Sequence, residues 1–169
     1  ALIAETGGQN AMIADSSALP EQIVKDVIAS AFQSAGQRCS AARVLFVQED
    51  IADKVVGMLA GAMAELKVGD PGQLSTDVGP VIDEDAKKIL VDHAARMDKE
   101  AKLIAEARLD AEVAAHGTFF APRAYEIPAL STLTREVFGP VLHVLRWKGS
   151  ELKQVVEQIN ATGYGLTLG

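Results

Sequence analysis

The run Val44-Leu45-Phe46-Val47 places the strongest constraint on the fold of this 169-residue chain. It is β-branched and aromatic, and it is too apolar for one of its faces to lie in water. It therefore predicts a strand that is covered on both sides. Other strand-like runs alternate with longer helical patterns along the chain. This alternation predicts an α/β domain, a three-layer α/β/α sandwich around a largely parallel sheet.

Short signals at segment ends define the other elements. They predict helices at residues 20–36, 50–66 and 83–101, and a last helix from Ser150 onward. Asp50, Asp83 and Ser150 are expected to cap their helices. The residues expected to face the core include Ile89, Leu90, Ala94 and Met97 in the third helix and Leu152, Val155, Val156 and Ile159 in the last. Further strands are predicted at 2–5, 11–14, 103–105 and 141–145, an extended segment at 119–127, and a surface excursion at 108–116.

The composition is that of a soluble globular domain, with 49% hydrophobic and 23% charged residues. The net charge of −7 is spread along the chain without a basic cluster, so nucleic acid is not an expected partner. No apolar run is long enough to span a membrane. The single cysteine excludes an internal disulfide, argues against a metal site and fits a reducing, cytoplasmic setting. Because residues 164–169 resemble a strand that is cut short, residues 1–169 are interpreted as one domain excised from a longer chain.

Cys39 is the first candidate for chemistry. A lone cysteine in a protein of this class is commonly a small buried hydrophobe. Its neighbours Gly36, Gln37, Arg38 and Ser40 are polar or small, however, which favours a loop position after a helix. A thiolate is the reactive form of cysteine, and Arg38 would stabilise it if its guanidinium group pointed towards the sulfur.

Glu5 is the second candidate, because it follows an apolar run and precedes the Gly7-Gly8 turn. Partial burial would raise the pKa of its carboxyl group towards the range that suits a general base. A solvated acid at a turn is the alternative. Glu5 and Cys39 together would supply the base and the nucleophile of thioester chemistry.

Other polar residues leave several interpretations open. Glu136 could be an ordinary surface acid before a turn. His93, His116 and His143 have no regular spacing, so a Cys–His dyad with Cys39 is possible with any of them. A thiol hydrolase with such a dyad therefore remains an alternative. The glycines form no Gly-x-Gly-x-x-Gly dinucleotide loop.

Taken in order, the motifs of the chain resemble those of the aldehyde dehydrogenase superfamily. They are Glu-Thr-Gly-Gly-Gln-Asn at 5–10, Phe-x-x-x-Gly-Gln-x-Cys at 32–39, Gly-Asp-Pro at 69–71, Gly-Pro-Val-Ile at 79–82, Glu-x-Phe-Gly-Pro-Val at 136–141 and Asn-x-x-x-Tyr-Gly-Leu-Thr at 160–167. Within the superfamily, the chain looks like the Δ1-pyrroline-5-carboxylate (glutamate semialdehyde) dehydrogenases, especially the version fused to proline dehydrogenase in bacterial bifunctional proline-utilisation proteins.

The resemblance implies a catalytic role for the two candidates. Cys39 would attack the aldehyde to give a thiohemiacetal, and a thioester would remain after hydride passes to NAD. Glu5 would activate the water that hydrolyses the thioester. The backbone N–H of Cys39 would be one oxyanion donor, and Ser40 resembles the residue that binds the carboxylate of the substrate.

The resemblance also implies where the cofactor binds. Glu136 would hold the nicotinamide ribose hydroxyl groups, Phe138 would pack near the nicotinamide, and the backbone of Thr6 would reach its carboxamide. Most of the NAD-binding domain would lie outside residues 1–169, and FAD would belong only to a fused proline dehydrogenase domain.

Several expectations follow for the whole protein. The partners would be a small aldehyde substrate and the rest of the parent polypeptide, which would be an oligomer. The protein would be cytoplasmic, with a peripheral position at the inner membrane possible for a full-length chain of this type. Residues 1–169 alone are expected to be inactive, with Glu5 and Cys39 converging on an exposed, apolar face. A non-catalytic assembly domain of this fold is the alternative.

Overall fold

The computed structural model describes residues 1–3 and 7–169, in which five strands form one mixed sheet. The strands are β1 (Ala11–Ala14), β2 (Val44–Gln48), β3 (Lys102–Glu106), β4 (Arg123–Glu126) and β5 (Val141–Trp147). Their order across the sheet is β1-β2-β5-β4-β3. All neighbours are parallel except the edge strand β3, which runs antiparallel to β4. The prediction of a largely parallel sheet is confirmed.

The described part of the chain also contains five α-helices: α1 (Pro20–Phe32), α2 (Glu49–Ala64), α3 (Glu84–Glu100), α4 (Ala111–Ala115) and α5 (Leu152–Ala161). Successive side chains of a strand point to opposite faces, which β5 shows clearly. Arg146 reaches Asp53 of α2 on one face, whereas the ring of His143 meets that of His93 of α3 on the other. Helices therefore cover both faces, and the predicted three-layer sandwich is confirmed.

The central strands are as apolar as their position requires. Val44, Leu45, Phe46 and Val47 of β2 are each at most 2% exposed. On α1 the side chains that face the core are Ile23, Val24, Val27, Ala31 and Phe32, spaced three or four residues apart or adjacent. Helical and strand periodicity thus bury one continuous core.

Some of the predicted helix boundaries are confirmed and others are wrong. Asp83 caps α3, and its carboxylate accepts a hydrogen bond from the N–H of Ala86 at 2.8 Å. Asp50 instead lies in the first turn of α2, whose N-cap is Gln48. Ser150 lies inside a short 3₁₀ turn that precedes α5. Helix α2 follows β2 without a break, and only Lys148 separates β5 from its 3₁₀ turn, so in both places a helical turn begins before the polar residue that the sequence suggested.

Two sets of side chains and one segment also differ from the prediction. Ile89 is 41% exposed, and His93 takes the buried place beside Leu90 on α3. Leu152 and Val156 of α5 are 49% and 37% exposed, so only Val155 among the predicted residues of that helix is fully buried. The excursion at 108–116 contains the short helix α4.

The two ends of the chain differ in their pairing. Leu2 and Ile3 are exposed and form no strand, while the rest of the predicted strand at 2–5 lies outside the described residues. At the other end, Leu168 bridges Ala11 in parallel, and Gly169 exchanges backbone hydrogen bonds with β1. The strand-like character of the last residues is thus partly confirmed.

The turn between α1 and β2 is strained. Ser34, Ala35 and Gly36 follow one another with φ angles of 55°, 52° and 63°, in the left-handed region. A Cβ atom at Gly36 would collide with the carbonyl oxygen of Gly139. Glycine at position 36 therefore permits both the backbone conformation and the close approach of the loop that contains Gly139.

We expect the substitution Gly36→Ala to destabilise the fold by more than about 1–2 kcal/mol, the cost of the left-handed conformation for a residue with a Cβ atom. The collision with Gly139 adds to that cost. Urea unfolding of the 169-residue chain measures the change.

Gly61→Ala is the matched control, because Gly61 lies in α2 and a Cβ atom there meets nothing within 4 Å. This control is expected to stabilise the chain by about 0.5–1 kcal/mol. Equal effects of the two substitutions would contradict the role of Gly36.

Candidate active site

Cys39 lies in an exposed β-turn that follows the strained segment. The carbonyl oxygen of Arg38 accepts a hydrogen bond from the N–H of Ala41 at 3.1 Å, which makes Cys39 and Ser40 the two central residues of the turn. Both are exposed to solvent. The prediction of a loop position is confirmed, and the alternative of a buried structural cysteine is wrong.

Arg43, directly before β2, joins this turn to two other segments. Its guanidinium group is 1% exposed. Nη1 donates to the carbonyl oxygens of Gly36 and Gly139 at 2.7 and 3.0 Å, and Nη2 donates to that of Arg38 at 3.1 Å. Nη2 also lies 3.4 Å from Oε1 of Glu136. Arg43 therefore holds together the cysteine turn and the loop that contains Glu136.

Glu136 and Phe138 lie at the outer side of this arrangement. The side chain of Glu136 is 16% exposed, and a Cβ atom at Gly7 would collide with its Oε2. The ring of Phe138 is 41% exposed, and the guanidinium carbon of Arg43 lies 5.2 Å from its centroid. Gly7 thus brings the motif at 5–10 against the carboxylate of the motif at 136–141.

The charge of Arg43 is balanced by its surroundings. Burial lowers the pKa of its guanidinium group, while attraction to Glu136 and to Cys39 acts in the opposite direction. Arg43 is therefore a buried cation whose charge is offset by neighbouring groups. Arg38, whose guanidinium group the sequence placed near the sulfur, donates from Nε to the hydroxyl group of Ser34 at 3.1 Å.

Asn10 supports the cysteine turn from the other side. Its Nδ2 donates to the carbonyl oxygens of Cys39 and Ala41 at 2.7 and 2.8 Å, and the residue is 4% exposed. A Cβ atom at Gly8 would lie against its Oδ1, so a glycine is needed there. The end of the first motif is therefore a structural support for the second.

Gln37 connects a fourth motif. Its Oε1 accepts from the N–H of Ile82 at 2.8 Å, and its Nε2 donates to the carbonyl oxygen of Pro80 at 3.4 Å. The Gly-Pro-Val-Ile segment at 79–82 is thereby attached to the loop that precedes Cys39.

The structure describes only some of the predicted site residues. Cys39, Ser40, Glu136 and Phe138 belong to segments that meet at Arg43, whereas Glu5 and Thr6 lie outside the described residues. The convergence of Glu5 with Cys39 on an apolar face stays a prediction. Sequence reasoning missed Arg43 and Asn10, although an arginine adjoining a wholly apolar strand is a signal for a buried, hydrogen-bonded cation.

The three histidines do not serve Cys39. His93 and His143 share a hydrogen bond of 2.9 Å between their Nε2 atoms, and Nδ1 of His143 lies 3.0 Å from the carbonyl oxygen of Arg43. Nδ1 of His116 lies 2.7 Å from the carbonyl oxygen of Glu112. The alternative of a Cys–His dyad is therefore wrong.

The tautomers of the histidine pair follow from its partners. A carbonyl oxygen only accepts, so Nδ1 of His143 donates to Arg43 and Nε2 of His143 accepts from Nε2–H of His93. Both rings are neutral in this arrangement. Burial, the neighbouring ring and nearby cations lower the pKa of His143 to about 3. Burial and the charges of Arg96 and Arg135 lower the pKa of His93 to about 4.

Metal-binding clusters and membrane-spanning helices are both absent from residues 1–3 and 7–169. This part of the chain contains no group of three or more side chains of the types that commonly bind metals. None of the helices described here has the length and apolar character that crossing a membrane requires.

Comparison with known proteins gives consistent matches. The model of the aldehyde dehydrogenase family matches residues 1–169. The bifunctional protein PutA of Escherichia coli (strain K12) is 55% identical over 99% of this chain, which spans 13% of that protein. A 1-pyrroline-5-carboxylate dehydrogenase of Geobacillus sp. (strain WCH70) is 34% identical over 98% of this chain, which spans 32% of it.

A solved structure agrees with these relatives. A mutant of proline utilization A (PutA) from Bradyrhizobium japonicum superimposes on the whole chain with a TM-score of 0.94 and 56% identity. The match covers 17% of that protein. The chain is thus similar to one segment of much longer proteins.

The histidine pair predicts a loss of stability in mild acid. Above the ordinary histidine pKa of about 6.5, both rings are neutral in the folded and the unfolded chain. Below it, both histidines bind protons in the unfolded chain. In the folded chain they bind protons only near their lowered pKa values of about 4 for His93 and about 3 for His143. The free energy of unfolding should therefore fall as the pH decreases from 6.5 towards 4.

Urea titrations of the 169-residue chain between pH 7.5 and about 5.5, where histidines dominate the titration, measure this slope. His93→Gln should make it shallower, because one of the two rings is removed. His116→Gln changes an exposed residue whose ring lies against the carbonyl oxygen of Glu112, and it serves as the control. A slope that His93→Gln leaves unchanged would refute the assignment.

Proposed function

Because this chain belongs to the aldehyde dehydrogenase family, we propose that it carries the nucleophile of an NAD-dependent enzyme that oxidises glutamate semialdehyde to glutamate in proline catabolism. The relatives named PutA and 1-pyrroline-5-carboxylate dehydrogenase support this substrate. The observation that carries the proposal is the exposed Cys39 in a turn that Arg43 ties to Glu136. An exposed thiol on a rigid, polar turn is suited to attack and is poorly explained by an assembly role alone.

We further propose that residues 1–169 form one domain of a larger enzyme. The chain spans only 13% of the E. coli relative and 32% of the Geobacillus relative. The remaining polypeptide would supply most of the NAD-binding groups and, in a bifunctional protein, an FAD-containing proline dehydrogenase domain. A cytoplasmic oligomer is the expected state of that protein.

In the proposed reaction, the Cys39 sulfur adds to the aldehyde carbon, and the carbonyl oxygen becomes an alkoxide. The N–H of Cys39 donates to this oxygen. Glu136 and Phe138 would hold the nicotinamide nucleotide, which would supply the acceptor for the hydride of the former aldehyde carbon. The carbon attached to sulfur is then a thioester, and Glu5 removes a proton from the water that releases the acid and regenerates the thiol.

The described residues fit a nicotinamide nucleotide. Oε1 of Glu136 is held by Arg43, yet the side chain keeps 16% exposure, so an anchored carboxylate can still accept hydrogen bonds from ribose hydroxyl groups. The exposed ring of Phe138 offers a flat apolar face two residues further on. We assign these two contacts to the cofactor, with the backbone of Thr6 at the carboxamide.

Ser40 is the proposed ligand of the substrate carboxylate. It is the residue next to the nucleophile in the same turn, and it is exposed. A hydroxyl group can donate to a carboxylate oxygen. A substrate held there would present its aldehyde to the adjacent sulfur.

The 169-residue chain by itself is expected to form no NADH from NAD⁺ and glutamate semialdehyde, because most of the cofactor contacts would lie elsewhere. Absorbance of NADH measures this directly. Alkylation of Cys39 by iodoacetamide in the same sample shows that the nucleophile is present and accessible. Appreciable turnover by residues 1–169 would refute the proposed division of the site.

In the full-length enzyme, Cys39→Ala should abolish NADH formation, since no thiohemiacetal can form. Glu5→Gln should allow about one equivalent of NADH per site and then stall at the thioester, because the general base is missing. Stopped-flow absorbance separates the burst from steady turnover. Undiminished steady turnover in Cys39→Ala would overturn the assignment of the nucleophile.

A further inference from the structure

The two peptide groups that flank Cys39 are both held by their carbonyl oxygens. The Arg38 carbonyl accepts from Nη2 of Arg43 and from the N–H of Ala41, each at 3.1 Å. The Cys39 carbonyl accepts from Nδ2 of Asn10 at 2.7 Å. The backbone on each side of the sulfur is therefore anchored by a different buried side chain.

Because the peptide group is planar, an anchored carbonyl oxygen also fixes the direction of the N–H in the same peptide group. In a trans peptide, the C=O and the N–H point in opposite directions. The Arg38 carbonyl points to Arg43, so the N–H of Cys39 points away from Arg43. By the same geometry, the N–H of Ser40 points away from Asn10. Neither N–H donates a hydrogen bond within residues 1–3 and 7–169.

Both anchors are themselves immobile. Arg43 is 1% exposed and also donates to the carbonyl oxygens of Gly36 and Gly139. Asn10 is 4% exposed, and its amide nitrogen also donates to the carbonyl oxygen of Ala41 at 2.8 Å. Side chains fixed at several points hold the peptide groups more rigidly than single contacts would.

We propose that Asn10 and Arg43 are positioning residues, which hold the carbonyl groups of Cys39 and Arg38 inward and thereby aim the N–H of Cys39 at the oxygen that becomes negatively charged during acyl transfer. This inference rests on the proposed function, because it needs Cys39 to be a nucleophile towards carbonyl carbon. It assigns a role to two side chains that do not contact the reacting atoms.

Two reactions of the same thiol separate positioning from general damage. In acylation by p-nitrophenyl acetate, the sulfur adds to the carbonyl carbon through a tetrahedral oxyanion, and p-nitrophenolate leaves as the thioester forms. In alkylation by iodoacetamide, the sulfur displaces iodide and no oxyanion forms. Only the first reaction needs the N–H of Cys39 as a donor.

The variants are Asn10→Ala, Asn10→Asp and Arg43→Lys in the full-length enzyme. Asp has the shape of Asn but no amide N–H to donate, and Lys keeps the positive charge without the guanidinium fork. Gln9→Ala is the matched control, because Gln9 is also a buried amide but donates to the carbonyl oxygen of Leu133, far from the cysteine turn in sequence. The rate measured in Cys39→Ala, which comes from any other thiols, is subtracted from each rate as background.

We expect acylation to slow by about tenfold or more in all three variants. The upper limit is the roughly 10²–10³-fold loss that follows complete removal of an oxyanion donor. Alkylation should stay close to the unmodified rate, and Gln9→Ala should change neither reaction. Because both reactions use the same thiol in the same sample, the ratio of the two rates does not depend on the enzyme concentration.

Two results would overturn the inference. They are an unchanged ratio of the two rates, whether or not both rates fall, and full retention of acylation in Asn10→Asp. Failure of Cys39 in the unmodified enzyme to react with either reagent would instead contradict the proposed function.

Discussion

The guanidinium group of Arg43 is the interaction on which the site depends. An unpaired cation in the interior would be strongly unfavourable, so its neighbours must compensate for the lost hydration. Three backbone carbonyl oxygens and the carboxylate of Glu136 do so. Because these acceptors come from separate segments, satisfying one buried charge also fixes the relative positions of the cysteine turn and the loop that carries Glu136 and Phe138.

The strained turn before Cys39 is a consequence of the same requirement. The carbonyl oxygen of Gly36 reaches Arg43 only after the chain has left α1 through three left-handed residues. Such conformations are unfavourable for Ser34 and Ala35 and persist where surrounding contacts determine them. Arg43, together with the close approach of Gly139, provides those contacts.

The layer formed by α3 supports this centre from behind. The carbonyl oxygen of Arg43 accepts from both the backbone N–H and Nδ1 of His143, and His143 in turn accepts from His93. Two neutral rings thus connect a helix, the central strand β5 and the residue that organises the site. The hydrogen bonds from His93 through His143 to Arg43 therefore contribute both to folding stability and to the position of the cysteine turn.

The sequence by itself determined the class of fold and the pieces of the site. The apolar run at 44–47 and the helical stripe of α1 are local patterns, and local periodicity is enough to say which faces are buried. The motifs around Cys39 and Glu136 likewise named the family. The cap at Asp83 was predictable because it involves only residues three apart. The expected caps at Asp50 and Ser150 failed because a helical turn already begins one residue before each of them, at Glu49 and at Gly149.

Only the tertiary structure decided how those pieces meet. Arg43 and Glu136 are 93 residues apart, and His93 and His143 are 50 apart, so their contacts depend on the strand order and on which face each strand turns to α3. Local patterns carry no information about that order. The placement of Asn10 and Arg43 against the cysteine turn arises from the parallel pairing of β1, β2 and β5, which brings their beginnings to one edge of the sheet.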